Sequence, residues 1–410
     1  MKVLLAHPGT QHAFRLAREL DHRGLLGEFW TGLALADGSI GAKVAGMARG
    51  WPVIGGLHSR VAHGIDRARI HTLPGIEIKA LLGLRLGGEK LSILHERNRR
   101  FQAAIPDDVL RRSDAIVGFD TSSWLLAQRA HTFGRPLLLD RSIACASAVA
   151  PLFEKLHQQY PAWLATAEAR PAWLVAAERQ EHALADRIVV GGSFARDSLV
   201  AEGADAAKIR LNPYGVDWAR FAAAAAATGP APGGGRPLRF LFVGSLIGRK
   251  GLPVLIDAWR RLQPCDAELW LAGACGVHER PLIPELPGLR QLGRVPHADV
   301  PRLYGQADVF VLPSLLEGFS LVMLEALASG LPIIVTPNTG GADLLASDEL
   351  GRLIEPGSVG ALAEALHHYL EHPPRREDVA AAAATLRARF SWAAYGDRWA
   401  RLLQEDLSRP

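Results

Sequence analysis

The stretch VFVLPSLLEGFSLVMLEALASGLPIIV, Val309–Val335, predicts a strand, a loop, a helix and a second strand in succession. Pro313 ends the first apolar run, the helical pattern stops at Gly330, and a second apolar run closes at Val335. Short apolar runs separated by a helix are typical of parallel strands buried on both faces. The stretch therefore decides the fold class, which is α/β.

The same alternation runs along both halves of the 410-residue chain, which is too long for one ordinary core. A segment rich in Ala, Gly and Pro separates the halves and is typical of a hinge or linker. We predict two doubly wound, Rossmann-like domains that face each other across a cleft. The predicted parts are an N-terminal domain (1–212), a hinge (213–237), a C-terminal domain (238–391) and a last helix (392–410).

Composition and charge exclude several classes of protein. Hydrophobic residues make up 49% of the chain and charged residues 21%, as in soluble globular proteins, and the net charge of +4 is too small to indicate nucleic acid binding. Between His58 and Arg112, 11 basic and 6 acidic residues leave an excess of 11 − 6 = +5. This excess is either a solvated helical face or a patch for an anionic membrane or an anionic acceptor.

The cysteines and the N-terminus bear on location. Cys145, Cys265 and Cys275 lie far apart without a CxxC pair, which argues against a disulfide framework or a zinc site and for a reducing compartment. The N-terminal MKVLLAHPGT predicts a first strand rather than a signal peptide, and no stretch is apolar enough to span a membrane. We expect a cytoplasmic protein, with peripheral contact at the inner membrane face as the alternative that the basic region leaves open.

Two glutamates of the opening stretch are candidates for ligand binding. Ligands of doubly wound folds bind beyond the carboxyl ends of the strands, where Glu317 lies on a loop and Glu325 lies inside the following helix. An ionised carboxylate accepts hydrogen bonds, so Glu325 suits a ribose diol and Glu317 suits the hydroxyls of a sugar beyond a diphosphate. The alternative is an exposed helix residue and a loop charge.

The start of that helix is a predicted anion site. Free N–H groups at a helix N-terminus bind phosphate, and Gly318 would let the backbone approach closely. The N–H groups predicted to face the crevice belong to Phe319, Ser320, Leu321 and Val322.

A second motif, FLFVGSLIGRKGL, begins the C-terminal domain. Gly244 ends its strand, and Arg249 and Lys250 precede the next helix. Two adjacent cations near a helix start suit a diphosphate leaving group, whereas a surface basic pair is the alternative. The combination of this motif with the two glutamates is far more specific than either part.

These motifs resemble a known family. FVGSLIGRKG, LAGAC, LGRV, ADVFVLPSLLEGFSLVMLEALASGLPIIVT and TGG resemble the C-terminal domain of the GT-B glycosyltransferases, specifically glycosyltransferase family 4, and NPYGVDWARF resembles its hinge motif. The resemblance covers about Asn212 to Pro356, and the spacing of Glu317 and Glu325 is that of the family's E-x7-E motif. It also implies that the helix Trp392–Leu407 crosses back onto the first domain.

The resemblance implies a role for each matching residue. Arg249 and Lys250 would bind the donor diphosphate and stabilise the departing nucleotide, Glu317 would contact the transferred sugar, and Glu325 would hold the ribose. Further donor contacts would come from Gly244, Ser245, Arg294, Val295, Gly318, Phe319, Ser320, Leu321 and Val322.

The reaction that the resemblance implies is retaining transfer of a sugar from a nucleotide-sugar donor to an acceptor hydroxyl. The sequence has no Asp-x-Asp pair, so we expect no metal and no cofactor, with Arg249, Lys250 and helix dipoles supplying the positive charge. It also lacks a P-loop and a GxGxxG after the first strand, which disfavours kinases, ATPases and dehydrogenases. We favour a UDP-sugar donor, with GDP-mannose second. The alternatives are an epimerase-type enzyme of the same fold and a non-catalytic nucleotide-sugar binding protein.

Candidates in the N-terminal domain follow its strands. Relatives carry a histidine where this chain has Asp120 in AIVGFDTSSW, so Asp120 is either a catalytic replacement or a loop acid. Further candidates for contacts in the cleft, each with a purely structural alternative, are His7, Gly9, Thr10, Asp140 and Arg141. We expect this domain to bind the acceptor, which could be a glycan, a lipid-linked molecule or a small molecule.

Overall fold

The structure, a computed structural model, describes residues 1–39, 60–164, 171–227 and 236–407. Its described residues form two parallel sheets of seven and six strands and a separate pair of short strands. Helices connect the parallel strands. The predicted α/β class and the arrangement as two Rossmann-like domains are confirmed.

The first sheet has the strand order β5-β2-β1-β6-β7-β8-β9, and β3 pairs with β4 outside it. The strands are β1 (Val3–His7), β2 (Leu26–Thr31), β3 (Leu35–Ala36), β4 (Val61–Ala62), β5 (Ile70–Thr72), β6 (Ala115–Phe119), β7 (Leu137–Arg141), β8 (Arg187–Val190) and β9 (Ile209–Leu211). The helices of this domain are Ala13–His22, Pro74–Arg85, Lys90–Ala104, Asp107–Arg112, Trp124–Thr132, Ala150–Gln159, Pro161–Leu164, Ala172–Leu184 and Ser193–Ala201.

The second sheet has the order β12-β11-β10-β13-β14-β15. The strands are β10 (Leu238–Val243), β11 (Ala267–Ala272), β12 (Leu289–Gly293), β13 (Val309–Leu312), β14 (Ile333–Val335) and β15 (Gly351–Leu353). The helices that follow β9 are Trp218–Ala226, Leu252–Leu262, Val300–Gln306, Leu321–Ala328, Val359–Glu371, Arg376–Ala384 and Trp392–Leu407.

The strand order of each sheet reverses at a central strand. β1 lies between β2 and β6 in the first sheet, and β10 lies between β11 and β13 in the second. The residues of β1, β6 and β13 are buried throughout, because helices cover both faces of a parallel sheet. Crevices for ligands form at the carboxyl ends of strands where the order reverses, so the site is expected beside β1 and β6 and beside β10 and β13.

The chain passes between the domains twice, and the two crossovers lie side by side. The N–H of Val216 donates to the carbonyl of Phe390 at 3.0 Å, and Val216 forms a bridge with Ser391. A Cβ added to Gly215 would lie 2.2 Å from the Trp392 nitrogen, so the two backbones are in direct contact. The last helix, Trp392–Leu407, then packs against the helix Ala13–His22 of the first domain.

The predicted linker, 213–237, contains a helix that the sequence reasoning missed. Trp218–Ala226 is helical and packs on the helices Val300–Gln306 and Leu321–Ala328 of the second domain. Its Phe221 is buried, with its ring 5.8 Å from that of Tyr304. The buried Trp218, Phe221 and Ala225 are spaced as on one face of a helix, alanine is the strongest helix former, and packing of Phe221 supplies the rest. Residues 228–235 lie outside the described residues.

The sequence pattern of residues 40–112 predicts a mostly helical segment. Three helices are present in its described part, 60–112, together with β4 and β5, and residues 40–59 lie outside the described residues. No helix within the described ranges has both the length and the apolar character needed to cross a membrane.

Candidate active site

The two motifs of the C-terminal domain meet at the carboxyl ends of β10 and β13. Arg249 and Lys250 lie in a short turn after β10, and Glu317 lies in the loop after β13. Gly251, with φ +74°, joins the two loops, because a Cβ there would lie 1.9 Å from the carbonyl oxygen of Pro313. Only glycine permits this backbone contact, which brings the cations beside the acid.

The Glu317 carboxylate is the centre of this cluster. Its Oε1 lies 2.6 Å from Lys250 Nζ and 3.0 Å from Arg249 Nη1, and it accepts a hydrogen bond of 2.7 Å from the Ser314 hydroxyl. Burial would raise the pKa of Glu317, but the charges of Lys250 and Arg249 outweigh it and hold the pKa below its usual value. Glu317 is therefore ionised at neutral pH and fixes the positions of both cations.

Both cations keep donors for a ligand. Arg249 uses Nη1 for Glu317 and for the carbonyl of Leu316, and among the described residues its other guanidinium nitrogens have no partner. The Lys250 ammonium makes one ion pair, with Glu317. The side chains are 32% and 15% exposed, so each can reach a bound anion while remaining anchored.

Glu325 lies in an environment of a different kind. It is half-buried within the helix Leu321–Ala328 and accepts a hydrogen bond of 3.2 Å from the Tyr304 hydroxyl. Burial raises the pKa of Glu325 to about 7, although the Tyr304 hydrogen bond and the Arg220 charge both act to lower it. The two carboxylates of the E-x7-E spacing therefore differ in pKa, because Lys250 and Arg249 contact Glu317 directly, whereas at Glu325 burial outweighs the charge of Arg220.

The helix start differs in one detail from its prediction. The helix begins at Leu321, but the N–H of Ser320 donates to the Thr339 carbonyl at 3.1 Å and is not available to an anion. Leu321 and Val322 occupy the first helical positions, where an α-helix has no internal acceptor for its N–H groups. The predicted anion site at this helix is thus reduced by one donor, since the loop after β14 covers Ser320.

Phe319 has a packing role that the sequence reasoning did not assign. Its side chain is 5% exposed, stacks on Phe390 with ring centroids 5.9 Å apart and lies edge-on to Tyr214 at 6.1 Å. Next to it, the Asp343 carboxylate accepts the N–H of Ser193, at the first turn of a helix of the first domain, at 2.8 Å. Phe319, in the loop after β13, and Asp343, after β14, therefore connect the second domain to the first.

The loop that carries Glu317 also contacts the first domain through its backbone. Gly318 forms an antiparallel bridge with Ile143, and the N–H of Ala144 donates to the Glu317 carbonyl at 3.3 Å. On the other side, a Cβ on Gly248 would lie 2.4 Å from the Trp163 carbonyl oxygen, so the loop of the cations contacts the first domain as well.

The remaining donor-side predictions lie at the same edge of the sheet. A Cβ on Gly244 would lie 4.0 Å from the Lys250 side chain, and Ser245 beside it is exposed. Arg294 follows the edge strand β12 and is exposed, whereas Val295 is half-buried against the core. Parallel strands end at one edge, so Gly244 and Arg294 lie on the side of the sheet that carries Glu317.

In the first domain, the HPGT turn follows β1. His7 is 4% exposed and lies 3.3 Å from the Ser122 hydroxyl, and burial, followed by the charge of Arg97, sets the pKa of His7 well below its usual value. A Cβ on Gly9 would lie 3.0 Å from the His7 ring, and Thr10 is half-buried. His7 is therefore a neutral imidazole packed into the turn, and Gly9 and Thr10 are its more accessible neighbours.

Asp120 follows β6 and lies close to the loop that carries Glu317. It is 6% exposed and accepts a hydrogen bond of 3.0 Å from the hydroxyl of Ser142, the residue whose carbonyl contacts Gly318. Burial raises the pKa of Asp120, and Arg141 and Ser142 only partly oppose it. The structure thus brings Asp120 and the loop of Glu317 together through one residue.

Asp140 and Arg141, which end β7, have partners within the fold. Asp140 Oδ2 lies 2.9 Å from His12 Nε2 and accepts a hydrogen bond of 3.3 Å from the Tyr395 hydroxyl. Arg141 is 1% exposed and pairs with Glu178 at 3.2 Å. The structural alternative stated for Arg141, an ordinary ion pair, agrees with this geometry, and Asp140 fastens the last helix to the first domain.

Two residues near the site were missed by the sequence reasoning. His12 follows His7 by five positions, and this repeated histidine in HPGTQH was the available signal. Glu181 is fully buried and accepts the N–H groups of Thr121 at 2.9 Å and Ser123 at 2.6 Å, next to Asp120. Thr121 has φ +61°, which is strained for a β-branched residue, so Glu181 holds a strained turn in place. No local pattern marks Glu181.

The described residues contain no cluster of three or more His, Cys, Asp or Glu side chains placed to hold a metal ion.

Comparison with known proteins agrees with this architecture. Residues 237–372 match the model of the family Glycosyl transferases group 1. A D-inositol 3-phosphate glycosyltransferase of Corynebacterium aurimucosum is 32% identical over 181 residues, which are 41% of this chain and 43% of that protein. A GDP-mannose-dependent monoacylated alpha-(1-6)-phosphatidylinositol monomannoside mannosyltransferase of Corynebacterium glutamicum is 32% identical over 175 residues, or 39% of this chain and 45% of that protein. These alignments span less than half the length of either relative.

The fold extends over the whole chain. The structure of the Anabaena protein HepE in complex with UDP superposes with a TM-score of 0.65 and 16% identity, covering 99% of this chain and 100% of that one. Identity at this level establishes the fold alone. The chain therefore has the GT-B fold, and its residues 237–372 match the model of the Glycosyl transferases group 1.

Proposed function

We propose that the protein is a retaining, metal-independent glycosyltransferase that moves a sugar from a nucleotide-sugar donor to an acceptor hydroxyl. The observation that carries the proposal is the cluster of Lys250, Arg249 and Glu317 at the carboxyl ends of β10 and β13. The family match over residues 237–372 and the names of the relatives, all of them glycosyltransferases, support it.

The cations would act on the leaving group. As the bond between the anomeric carbon and the phosphate oxygen breaks, negative charge develops on the nucleotide diphosphate. Arg249 and Lys250 are held in place by Glu317 before the donor binds, so they stabilise this charge without reorganising. Glu317 would also face hydroxyls of the transferred sugar, and Glu325 would accept the ribose hydroxyls.

Retention of configuration in a single displacement, the route that we propose, requires attack on the face from which the leaving group departs. In the proposed reaction, the acceptor oxygen bonds to the anomeric carbon on that face, and its proton passes to a phosphate oxygen of the departing diphosphate. The positive charge for this step would come from Arg249, Lys250 and the start of the helix Leu321–Ala328.

UDP-sugar is the favoured donor and GDP-mannose the second. The structural neighbour that binds UDP supports the first, and the GDP-mannose-dependent relative supports the second. We assign contact with the nucleotide base to the exposed Arg294, which follows β12 at the same edge of the sheet as Glu317.

The acceptor would bind to the first domain, which also offers a surface for an anionic membrane. Several basic residues of the region 58–112 are neutralised within the fold: Arg60 and Arg97 contact Glu77, and Arg99 and Arg100 contact Glu96. The surface therefore rests on the helix Pro74–Arg85 and its C-terminal flank. Its exposed apolar and basic residues are Ile78, Leu81, Leu82, Leu86, Lys79, Arg85 and Lys90.

Liposome flotation tests the membrane contact. The protein is expected to float with phosphatidylglycerol vesicles at low salt, and the variant Leu82→Ser/Leu86→Ser is expected to stay at the bottom of the gradient. Absence of binding by the parent protein at low salt would remove the proposal.

Donor turnover tests the function itself. The protein is incubated with UDP-glucose or GDP-mannose, with and without a glycan or lipid extract as acceptor, and in the presence or absence of EDTA. Release of nucleotide that rises with acceptor and is insensitive to EDTA supports the proposal, and the product's anomeric configuration by NMR decides retention. Conversion of donor without acceptor would indicate the epimerase-type alternative, and binding without turnover would indicate the non-catalytic one.

A further inference from the structure

A second pocket lies at the hinge, where the helix Ala13–His22 meets the two crossovers. Its volume is about 310 Å³, at the lower end of small-molecule sites, which occupy roughly 300–1,000 Å³. Its lining includes three arginines and two tryptophans: Arg15, Arg18, Arg387, Trp218 and Trp392.

Three guanidinium groups of this pocket have no anionic partner. Within the described ranges, neither Arg15, Arg18 nor Arg387 forms an ion pair or a side-chain hydrogen bond. Arg15 lies 5.4 Å above the Trp392 ring, and the Nε of Arg18 is buried without a hydrogen-bond partner. This Nε is covered beside Gly64, where an added Cβ would lie 3.1 Å from it, so a ligand would be bound by the other guanidinium donors of Arg18.

Two carboxylates also line the pocket, but both are engaged elsewhere. Glu19 pairs with Arg23 at 2.7 Å, and Asp217 accepts the backbone N–H of Arg220 at 3.1 Å. Burial, and next the charge of Arg18, lower the pKa of Arg15, while both carboxylates only partly oppose this. Three arginines against two carboxylates leave an excess of positive charge in the lining, which favours an anionic ligand.

The pocket joins parts of both domains. Arg15 and Arg18 belong to the first domain, and Arg387 lies between the helix Arg376–Ala384 of the second domain and the returning crossover. Trp218 and Trp392 begin the helices that follow the two crossovers. A ligand that touched Arg18 and Arg387 at once would connect the two domains beside the crossovers.

We propose that this hinge pocket binds the phosphate monoester of a small organic molecule. Guanidinium groups form paired, charge-assisted hydrogen bonds with phosphate oxygens, and the indole rings of Trp218 and Trp392 offer apolar surface for the organic part. The site is separate from the donor site and does not depend on the proposed transfer reaction.

Isothermal titration calorimetry of the full chain tests the proposal, with glycerol 3-phosphate as the probe. The titration is carried out on the Lys250→Ala variant, which removes one of the two phosphate-binding cations of the donor site and weakens binding there. One site is expected, and Arg15→Gln/Arg18→Gln in the same background is expected to weaken it at least tenfold. Arg401→Gln, which removes an exposed arginine from the last helix, is the matched control and is expected to bind as the parent does.

Several outcomes would overturn the proposal. They are equal affinity in the Arg15→Gln/Arg18→Gln variant, binding of glycerol as tight as that of glycerol 3-phosphate, and no binding to the Lys250→Ala protein. Equal affinity for inorganic phosphate would overturn the assignment to a monoester. If the double variant fails to fold, the exposed Arg387→Gln replaces it and is expected to weaken binding at least fivefold; unchanged affinity would then contradict the proposal.

Discussion

The carbonyl oxygen of Ser142 lies so close to Gly318 that a Cβ added to Gly318 would be 2.1 Å from it. Gly318 follows Glu317, and the hydroxyl of Ser142 donates to Asp120 at 3.0 Å. The acid that organises the donor cations and the buried acid of the first domain are thus linked across the cleft by a contact that tolerates no side chain.

Gly318→Ala is expected to disturb this contact. Because the opposing atoms are backbone, the chain must shift, and the cost should be about 1–3 kcal/mol in the free energy of unfolding. We expect donor turnover to fall at the same time, since Glu317 moves with its neighbour. Urea unfolding and turnover measure the two effects. Gly75→Ala is the control, because nothing lies within 4 Å of its added Cβ; equal stability of the two variants would contradict the predicted clash.

Lys250→Ala is expected to reduce turnover more than affinity. The ammonium would act on charge that develops as the donor bond breaks, so kcat should fall by about 10²–10³ while KM for the donor changes little. Steady-state kinetics with the preferred donor measure both constants. Lys155→Ala, at an exposed lysine of the first domain, should leave kcat unchanged. A loss confined to KM would show that Lys250 binds donor without contributing to catalysis.

We expect donor binding to depend on pH because of the raised pKa of Glu325. Its pKa of about 7 in the free protein means that protonation removes acceptor capacity for the ribose hydroxyls as pH falls through 7. If binding requires the ionised carboxylate, affinity should fall about tenfold from about pH 8 to about pH 6. The affinity should be measured with a nucleotide-sugar, because its diphosphate is a diester without a proton that titrates in this pH range.

Calorimetry of Glu325→Gln and Glu325→Ala completes this test. Both variants are expected to bind the donor more weakly at about pH 8, and neither should retain the pH dependence. A profile in the parent that is flat from about pH 6 to about pH 8, or that survives in Glu325→Gln, would assign the ribose to another residue.

Glu181 is predicted to stabilise the turn beside Asp120. Glu181→Ala leaves the N–H groups of Thr121 and Ser123 without their acceptor, which should cost about 3 kcal/mol in the free energy of unfolding. Burial raises the pKa of Glu181 from 4.5 to about 8, so its contribution is complete below about pH 4.5 and is lost as pH rises through 8.

The destabilisation by Glu181→Ala should therefore be larger near about pH 5 than near about pH 8 when urea unfolding is compared at the two values. Glu154→Ala, at an exposed helix position, is expected to cost little at either pH. A destabilisation that grows with pH would mean that the carboxylate is ionised in the fold.

Local patterns identified most of the fold. β13 and β14 agree with their predictions to the residue, because parallel strands covered on both faces consist of unbroken apolar runs. The last helix was also predicted at its observed bounds, Trp392–Leu407. The helix Trp218–Ala226 was missed because the Ala-, Gly- and Pro-rich composition that follows Phe221 is typical of a linker, although Trp218, Phe221 and Ala225 have helical spacing.

The candidate site was predictable only where it is local. Arg249, Lys250, Glu317 and Glu325 stand in short motifs, and the structure brings the first three together. The contact of Asp140 with Tyr395 joins positions 255 residues apart, and Thr339 takes the N–H of Ser320 through a different loop. Such contacts depend on the packing of whole elements, so no spacing in the sequence reveals them.

The most direct test of the central claim is a thermal-shift panel with UDP, GDP, ADP, dTDP and their common sugar conjugates, with and without EDTA. A ligand that binds only the folded state stabilises it by about 2.7 kcal/mol at a hundredfold excess over Kd. We expect one nucleotide family, with UDP favoured, to raise Tm independently of EDTA. We also expect Glu325→Ala to reduce this shift in Tm. No shift with any of these ligands, or a shift that EDTA abolishes, would contradict the proposed donor site.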